Sequence, residues 1–178
     1  MPRIVDCSTA FATPWFEVVA KKLESESAPY YAVRTLDYVS VFALTAEREI
    51  VMVRQYRPVV EHHTLELPSG HVEKNESPEE SARRELLEET GYRADRMVLL
   101  GALLSDTGRL ENRMWAFFAP DVVPVGETHK PEAGLETVLV PKAELLKLIT
   151  AGEFNHALNL AVIMAAVARL GAEWLAEK

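Results

Sequence analysis

A chain of 178 residues, 48% apolar and 26% charged, can fill one globular core and carry a small extension. Its net charge of −8 argues against a general nucleic-acid binder, though not against a small nucleotide whose charge divalent cations would meet. The single cysteine, Cys7, excludes an internal disulfide or Cys-based zinc site; with no signal-peptide pattern and no apolar run of membrane length, a cytoplasmic location without a membrane partner is expected.

Residues 1–37 precede the core. Trp15 to Lys21 reads as a strand, Leu23 to Pro29 as a turn, and Tyr30 to Leu36 as a returning strand. Such a hairpin-like unit is too small to be stable alone, so it must pack on the core or on a second subunit. Tyr38 to Thr45 and Glu49 to Tyr56 are strand patterns joined by a polar turn, and His62 to Leu67 is a third. His62 and His63 point to opposite strand faces, which does not suit a shared metal. Glu66 stands in a mostly apolar strand and needs a partner.

Gly70 to Tyr92 reads GHVEKNESPEESARRELLEETGY. Ser77 and Glu80 form a capping box, Pro78 suits the first helical position, and Gly91 suits a left-handed stop. A helix from Pro78 to Thr90 follows. Glu85, Glu88 and Glu89 then share one face in its last turns, where the macrodipole and mutual repulsion both disfavour them. Arg84 alone does not neutralise three acids. A solvated acidic face would alternate sign, whereas grouped hard oxygens suit Mg²⁺ or Mn²⁺.

Beyond this stretch, Met97 to Leu104 and Arg113 to Ala119 read as strands around the loop Ser105 to Asn112, with Trp115 in the core. Pro120 to Gly134 is a long polar loop, and loops of that length are often functional. Thr137 to Val140 reads as a short strand, Pro141 as the start of a helix to Thr150, and Asn155 as the start of a buried helix running to Leu175, with His156 structural. Strands with a helix on either side make an α/β sandwich.

The Gly70–Tyr92 stretch resembles the Nudix box at every specified position. About seven fixed residue types near 7% usage would coincide by chance on the order of once in 10⁸ starts. The resemblance implies a Nudix α/β/α sandwich over residues 38–178, with residues 1–37 as a small N-terminal β extension. It also implies hydrolysis of a nucleoside diphosphate linked to another group, with Mg²⁺ or Mn²⁺ held by box glutamates. The preceding QYRPVVEHHTLELPSG resembles the ADP-ribose and nucleoside diphosphate sugar pyrophosphatase branch, whose members often dimerise through an N-terminal piece. A homodimer is therefore expected.

That resemblance implies Arg57, Glu66 and Thr107 as substrate-side residues. Thr107 stands where ADP-ribose members usually carry proline, which favours a broader nucleoside diphosphate sugar class. Glu85 and Glu89 are the expected metal ligands, with Glu88 a direct or water-mediated third. The Ser69 carbonyl is a further implied ligand, and Glu111 an acid for an extra metal. Arg84 is expected to orient a box glutamate. For the general base Glu132 is preferred to Glu127 and Glu136. Two other readings stay open: a Nudix hydrolase of nucleoside triphosphates or coenzymes, and a non-hydrolytic nucleotide-sugar sensor.

Overall fold

The computed structural model describes residues 2–126 and 132–171. In chain order its strands are β1 (Ile4–Ala12), β2 (Glu17–Leu23), β3 (Tyr30–Arg34), β4 (Tyr38–Leu44), β5 (Glu49–Arg57), β6 (His62–Glu66) and β7 (Ser69–His71). Helix α1 (Pro78–Thr90) follows, then β8 (Tyr92–Arg93), β9 (Val98–Leu104), β10 (Arg113–Ala119), β11 (Val123–Pro124) and β12 (Leu135–Pro141). A 3₁₀ turn (Lys142–Glu144), α2 (Leu145–Ala151) and α3 (Ala157–Leu170) complete the order.

The central sheet runs β12-β5-β4-β10-β9, with β6 paired to β5 and β7 to β4. β4 and β10 are parallel, and the other pairs in this sheet are antiparallel. Strand side chains alternate between faces, so each strand serves two cores. Val39, Val41, Ala43, Val51, Phe117 and Ala119 pack with Ala82 and Leu86 of α1. Phe42, Leu44, Ile50, Met52, Met114 and Phe118 pack with Leu145, Phe154 and the α3 residues Val162, Ile163, Ala166 and Val167. The expected three-layer α/β/α sandwich results. Trp115 packs at the edge of the α1 core, with its indole N–H donating to Asp37 Oδ2 at 3.0 Å.

Helix α1 has the expected bounds. Ser77 accepts from the Glu80 N–H, Glu80 accepts in return from Ser77, and Gly91 takes φ 73°. Elsewhere the sequence reading needs correction. The N-terminal piece is a three-stranded sheet, β1-β2-β3, rather than a hairpin. All nine β1 residues are exposed, so that strand carries no buried-face alternation to read. Pro141 ends β12, paired with Glu49 at φ −53° and ψ 131°, and the helix waits until Leu145. Inside the long polar loop, Val123–Pro124 pairs with Tyr92–Arg93. Helix α3 ends at Leu170, after His156 caps its start, and residues 172–178 of the expected helix lie outside the described residues.

The N-terminal sheet joins the core along the loop before β10. The Val33 N–H donates to the Arg109 carbonyl at 2.7 Å, and the Glu111 N–H returns a bond to the Val33 carbonyl at 3.0 Å. Ile4, Val5, Phe11, Trp15 and Tyr31 of this N-terminal piece are exposed. Among the described residues, no helix is long and apolar enough to cross a membrane.

Candidate active site

Where β7 passes under the last turns of α1, backbone and carboxylates meet. The Ser69 N–H donates to Glu89 Oε2 at 2.9 Å. Beside it the Glu85 carboxyl lies against the α-carbon of Gly70, so close that a β-carbon at position 70 would overlap it. A glycine here is a matter of space, because only a bare backbone admits the carboxyl.

These groups line a cleft of about 500 Å³ together with Gln55, Tyr56, Arg57, His71, Glu73 and Glu132. Burial pushes Glu89, 7% exposed, up to about 8, against the Ser69 bond. Burial also raises Glu85, although Arg84 Nη1 donates to its Oε1 at 2.8 Å. Glu89 therefore tends to hold a proton that a bound cation would release.

Arg84 gathers the surrounding acids. Its Nε donates to Glu76 at 3.1 and 3.2 Å, its Nη1 to Glu88 Oε2 at 3.1 Å, and its Nη2 to the His71 carbonyl at 3.1 Å. The bonds to Glu76, foremost, hold the guanidinium above its ordinary range. The arginine thus ties the α1 face to the end of β7.

On the other side of Ser69, Arg57 and Glu66 form a two-pronged pair, Nε to Oε1 at 2.9 Å and Nη2 to Oε2 at 2.7 Å. Thr64 adds a bond to Glu66 Oε1 at 2.6 Å. Burial works to raise Glu66, 2% exposed, but the Arg57 and Thr64 bonds outweigh it and hold the carboxyl below its usual range. Arg57 and Glu66 line a second, smaller cavity of about 230 Å³ with Tyr38, Ser69, Gly70, His71 and His156. Arg57, Ser69, Gly70 and His71 belong to both cavities.

Not every residue singled out in the sequence meets here. Glu88 is exposed beside Arg84 and does not line the cleft. Thr107 and Glu111 line a separate cavity with Lys21 and Tyr30, where Glu111 pairs with Lys21 and, at 2.8 Å, with Arg34. Those two pairings, Lys21 first, hold Glu111 below its ordinary range despite its partial burial. Glu136 pairs with Arg54 at 3.2 Å on the β12·β5 ladder. Glu127 lies outside the described residues. In turn Tyr56, His71 and Glu73 line the cleft without having been singled out. Tyr56 and His71 directly precede Arg57 and follow Gly70, so their position beside marked residues was the available signal.

Residues 34–159 match the NUDIX domain family. The chain belongs to the Nudix family. An ADP-ribose pyrophosphatase of Bacillus subtilis is 34% identical over 121 residues, which are 67% of this chain and 65% of that protein. A mouse ADP-sugar pyrophosphatase is 34% identical over 129 residues, 66% of this chain and 59% of that one. The matched stretch thus spans just under two thirds of these two Nudix relatives. The Escherichia coli ADP compounds hydrolase NudE is 27% identical over 98% of this chain and 93% of its own. A crystal structure of an ADP compounds hydrolase superposes at a TM-score of 0.79, covering 95% of this chain and 94% of that one at 24% identity, which supports the Nudix fold.

Glu89 makes a stability prediction. Its folded-state pKa, near 8, lies above an unfolded value of about 4.3. The folded state therefore holds the proton more tightly, and Glu89's contribution to stability is lost as pH rises from the ordinary carboxylate range to about 8. Glu89→Gln keeps the shape and the acceptor without the charge. Thermal melts of the metal-free protein should show the variant gaining stability near pH 8 and not near pH 4. An equal shift at both values would contradict the buried-carboxylate assignment.

Proposed function

We propose that the chain is a divalent-metal-dependent pyrophosphohydrolase that splits a nucleoside diphosphate sugar of the ADP-sugar type into a nucleoside monophosphate and a sugar phosphate. The observation that carries this reading is the meeting of Glu85 and Glu89 with the Ser69–Gly70 backbone in one cleft. The names of the pyrophosphatase and ADP compounds hydrolase relatives point the same way.

Glu85, Glu89 and the Ser69 carbonyl would hold Mg²⁺ or Mn²⁺, while Glu88, exposed beside Arg84 and outside the cleft lining, would reach it only through water. Among the described residues no three His, Cys, Asp or Glu side chains stand gathered as a ready metal cage. Mg²⁺ takes one or two carboxylates and keeps several waters. The close seat of the Glu85 carboxyl on Gly70 and the burial of Glu89, which raises its pKa, fit a site completed by the cation. When bound, the cation neutralises pyrophosphate charge and acidifies water.

The chain's own groups do the rest. Arg84 holds Glu85 in place through its Nη1 bond. The Arg57 guanidinium, fixed by Glu66, which Thr64 in turn holds, offers positive charge between the two cavities, suited to a substrate phosphate. Glu132 lines the cleft from the long loop and, as the general base, would take a proton from the attacking water. Thr107 and Glu111 sit at the junction with the N-terminal sheet rather than in this cleft.

Phosphate-coupled hydrolysis should test ADP-ribose, ADP-glucose, GDP-mannose, UDP-glucose and free triphosphates, with Mg²⁺, Mn²⁺ or chelator. The expected result is turnover of an ADP-sugar that stops in chelator. Glu132→Gln should lower kcat by about 10²–10⁴ with little change in KM. Full activity in chelator, or turnover of triphosphates alone, would sink the reading.

The N-terminal sheet, with its open β1 edge and exposed Phe11, Trp15 and Tyr31, is proposed to cover itself against a second copy of the chain. Light scattering should give a dimer mass that falls to the monomer when Phe11 and Tyr31 are both changed to Ser. A monomeric wild type at working concentration would contradict this.

A further inference from the structure

The segment between β6 and β7 contains Leu67 and Pro68, and Pro68 has no N–H to give. Leu67 is fully buried and belongs to neither strand, so its N–H needs a partner from elsewhere. It donates to Asn159 Oδ1 at 3.0 Å, reaching 92 residues along the chain. Asn159 lies in the first turns of α3, is 1% exposed, and its Nδ2 donates to Ser40 Oγ at 3.2 Å. Ser40 is fully buried and faces Ser69 in the β4·β7 register. On a helix side that otherwise buries Val162, Ile163 and Ala166, a buried amide is costly unless its bonds are made.

What those bonds fix lies one step further on. The Ser69 hydroxyl donates to the Leu67 carbonyl at 2.8 Å, and the Ser69 N–H donates to Glu89 at 2.9 Å. The Pro68 carbonyl accepts from the Val41 N–H at 2.9 Å. A continuous bonded path thus runs from α3 through Asn159 and the Leu67–Ser69 backbone to the acid on α1, across the sheet from one helical layer to the other. His156 sets the near end by accepting the Asn159 N–H at Nδ1, 3.2 Å away.

We propose that Asn159 is a positioning residue for the cation end of the cleft: it locks the Leu67–Ser69 backbone so that the Ser69 N–H keeps its place on Glu89. The proposal rests on the metal reading given above. An Asn159→Leu change keeps the branching and heavy-atom count and removes the acceptor, leaving the Leu67 N–H without its bond. Val162→Ala, on the same helix and in the same core, is the control for simple loss of packing.

Two measurements on folded protein decide it. Hydrogen exchange of residues 67–71 in the metal-free protein should be at least about tenfold faster in Asn159→Leu than in the control, because a buried amide bond there is gone. Mn²⁺ affinity, titrated without substrate, should fall by about 10–100-fold in Asn159→Leu and stay near wild type in Val162→Ala. The corresponding kcat should fall while KM for the sugar nucleotide moves little. If Asn159→Leu fails to fold, Ser40→Ala, which frees the amide at its other end, should show a smaller loss of the same kind. Exchange and Mn²⁺ affinity indistinguishable from the control, in whichever variant folds, would overturn the proposal. A wild-type protein that binds no Mn²⁺ would overturn the metal reading instead, and the exchange comparison would still decide the backbone lock.

Discussion

The site depends on how closely the end of α1 approaches the backbone of β7. Two carboxylates from successive turns on one side of the helix face two successive backbone positions, Glu89 on the Ser69 N–H and Glu85 against the bare α-carbon of Gly70. Either carboxylate alone would find water at a helix C-terminus, where negative charge is disfavoured. Held against β7 they are partly buried, rise in pKa, and become groups whose charge is favourable only with a counter-ion. The fold therefore stores an electrostatic deficit at one spot, and the neighbouring positive charges leave room for a ligand there.

The architecture around this contact keeps it in register. β7 is held on one edge by β4 and at its end by Arg84 reaching the His71 carbonyl, and Asn159 holds Leu67 in the segment that leads into it. Helix α1 is held to the sheet by Leu86 and Ala82, both fully buried. Arg84 meets the acids on the solvent side of α1, while Arg57 is balanced by Glu66 on the far side of Ser69. The two arginines thus flank the cleft with their charge already matched to a named partner, which limits how far either swings into the space between them.

Much of this was legible from local chemistry. The capping box, Pro78 and Gly91 set both ends of α1, and the grouped acids of its last turns marked the site. The need of Glu66 for a partner was readable from one charge in an apolar strand, and Arg57 meets it. What escaped was set by contacts distant in sequence. Asn159 reads as one polar residue at the head of an apolar helix, and its value comes from a backbone N–H 92 residues away. Glu111 lies in the loop of residues 105–112 after the box, yet it is claimed by Lys21 and Arg34 of the N-terminal sheet. β1 gave no pattern because neither of its faces is buried.

The most direct test of the helix–strand contact is Gly70→Ala. The added methyl meets only the far end of a flexible side chain, so Glu85 can swing away at small cost to the fold. The melting temperature of the metal-free variant should stay within about 2–4 °C of wild type, the equivalent of about 1 kcal/mol for a chain of this size. Calorimetric titration should nonetheless show Mn²⁺ binding weakened by about 10–100-fold, because one ligand has lost its place. Unchanged Mn²⁺ affinity in a folded Gly70→Ala protein would contradict the claim that the close approach of α1 to β7 builds the site.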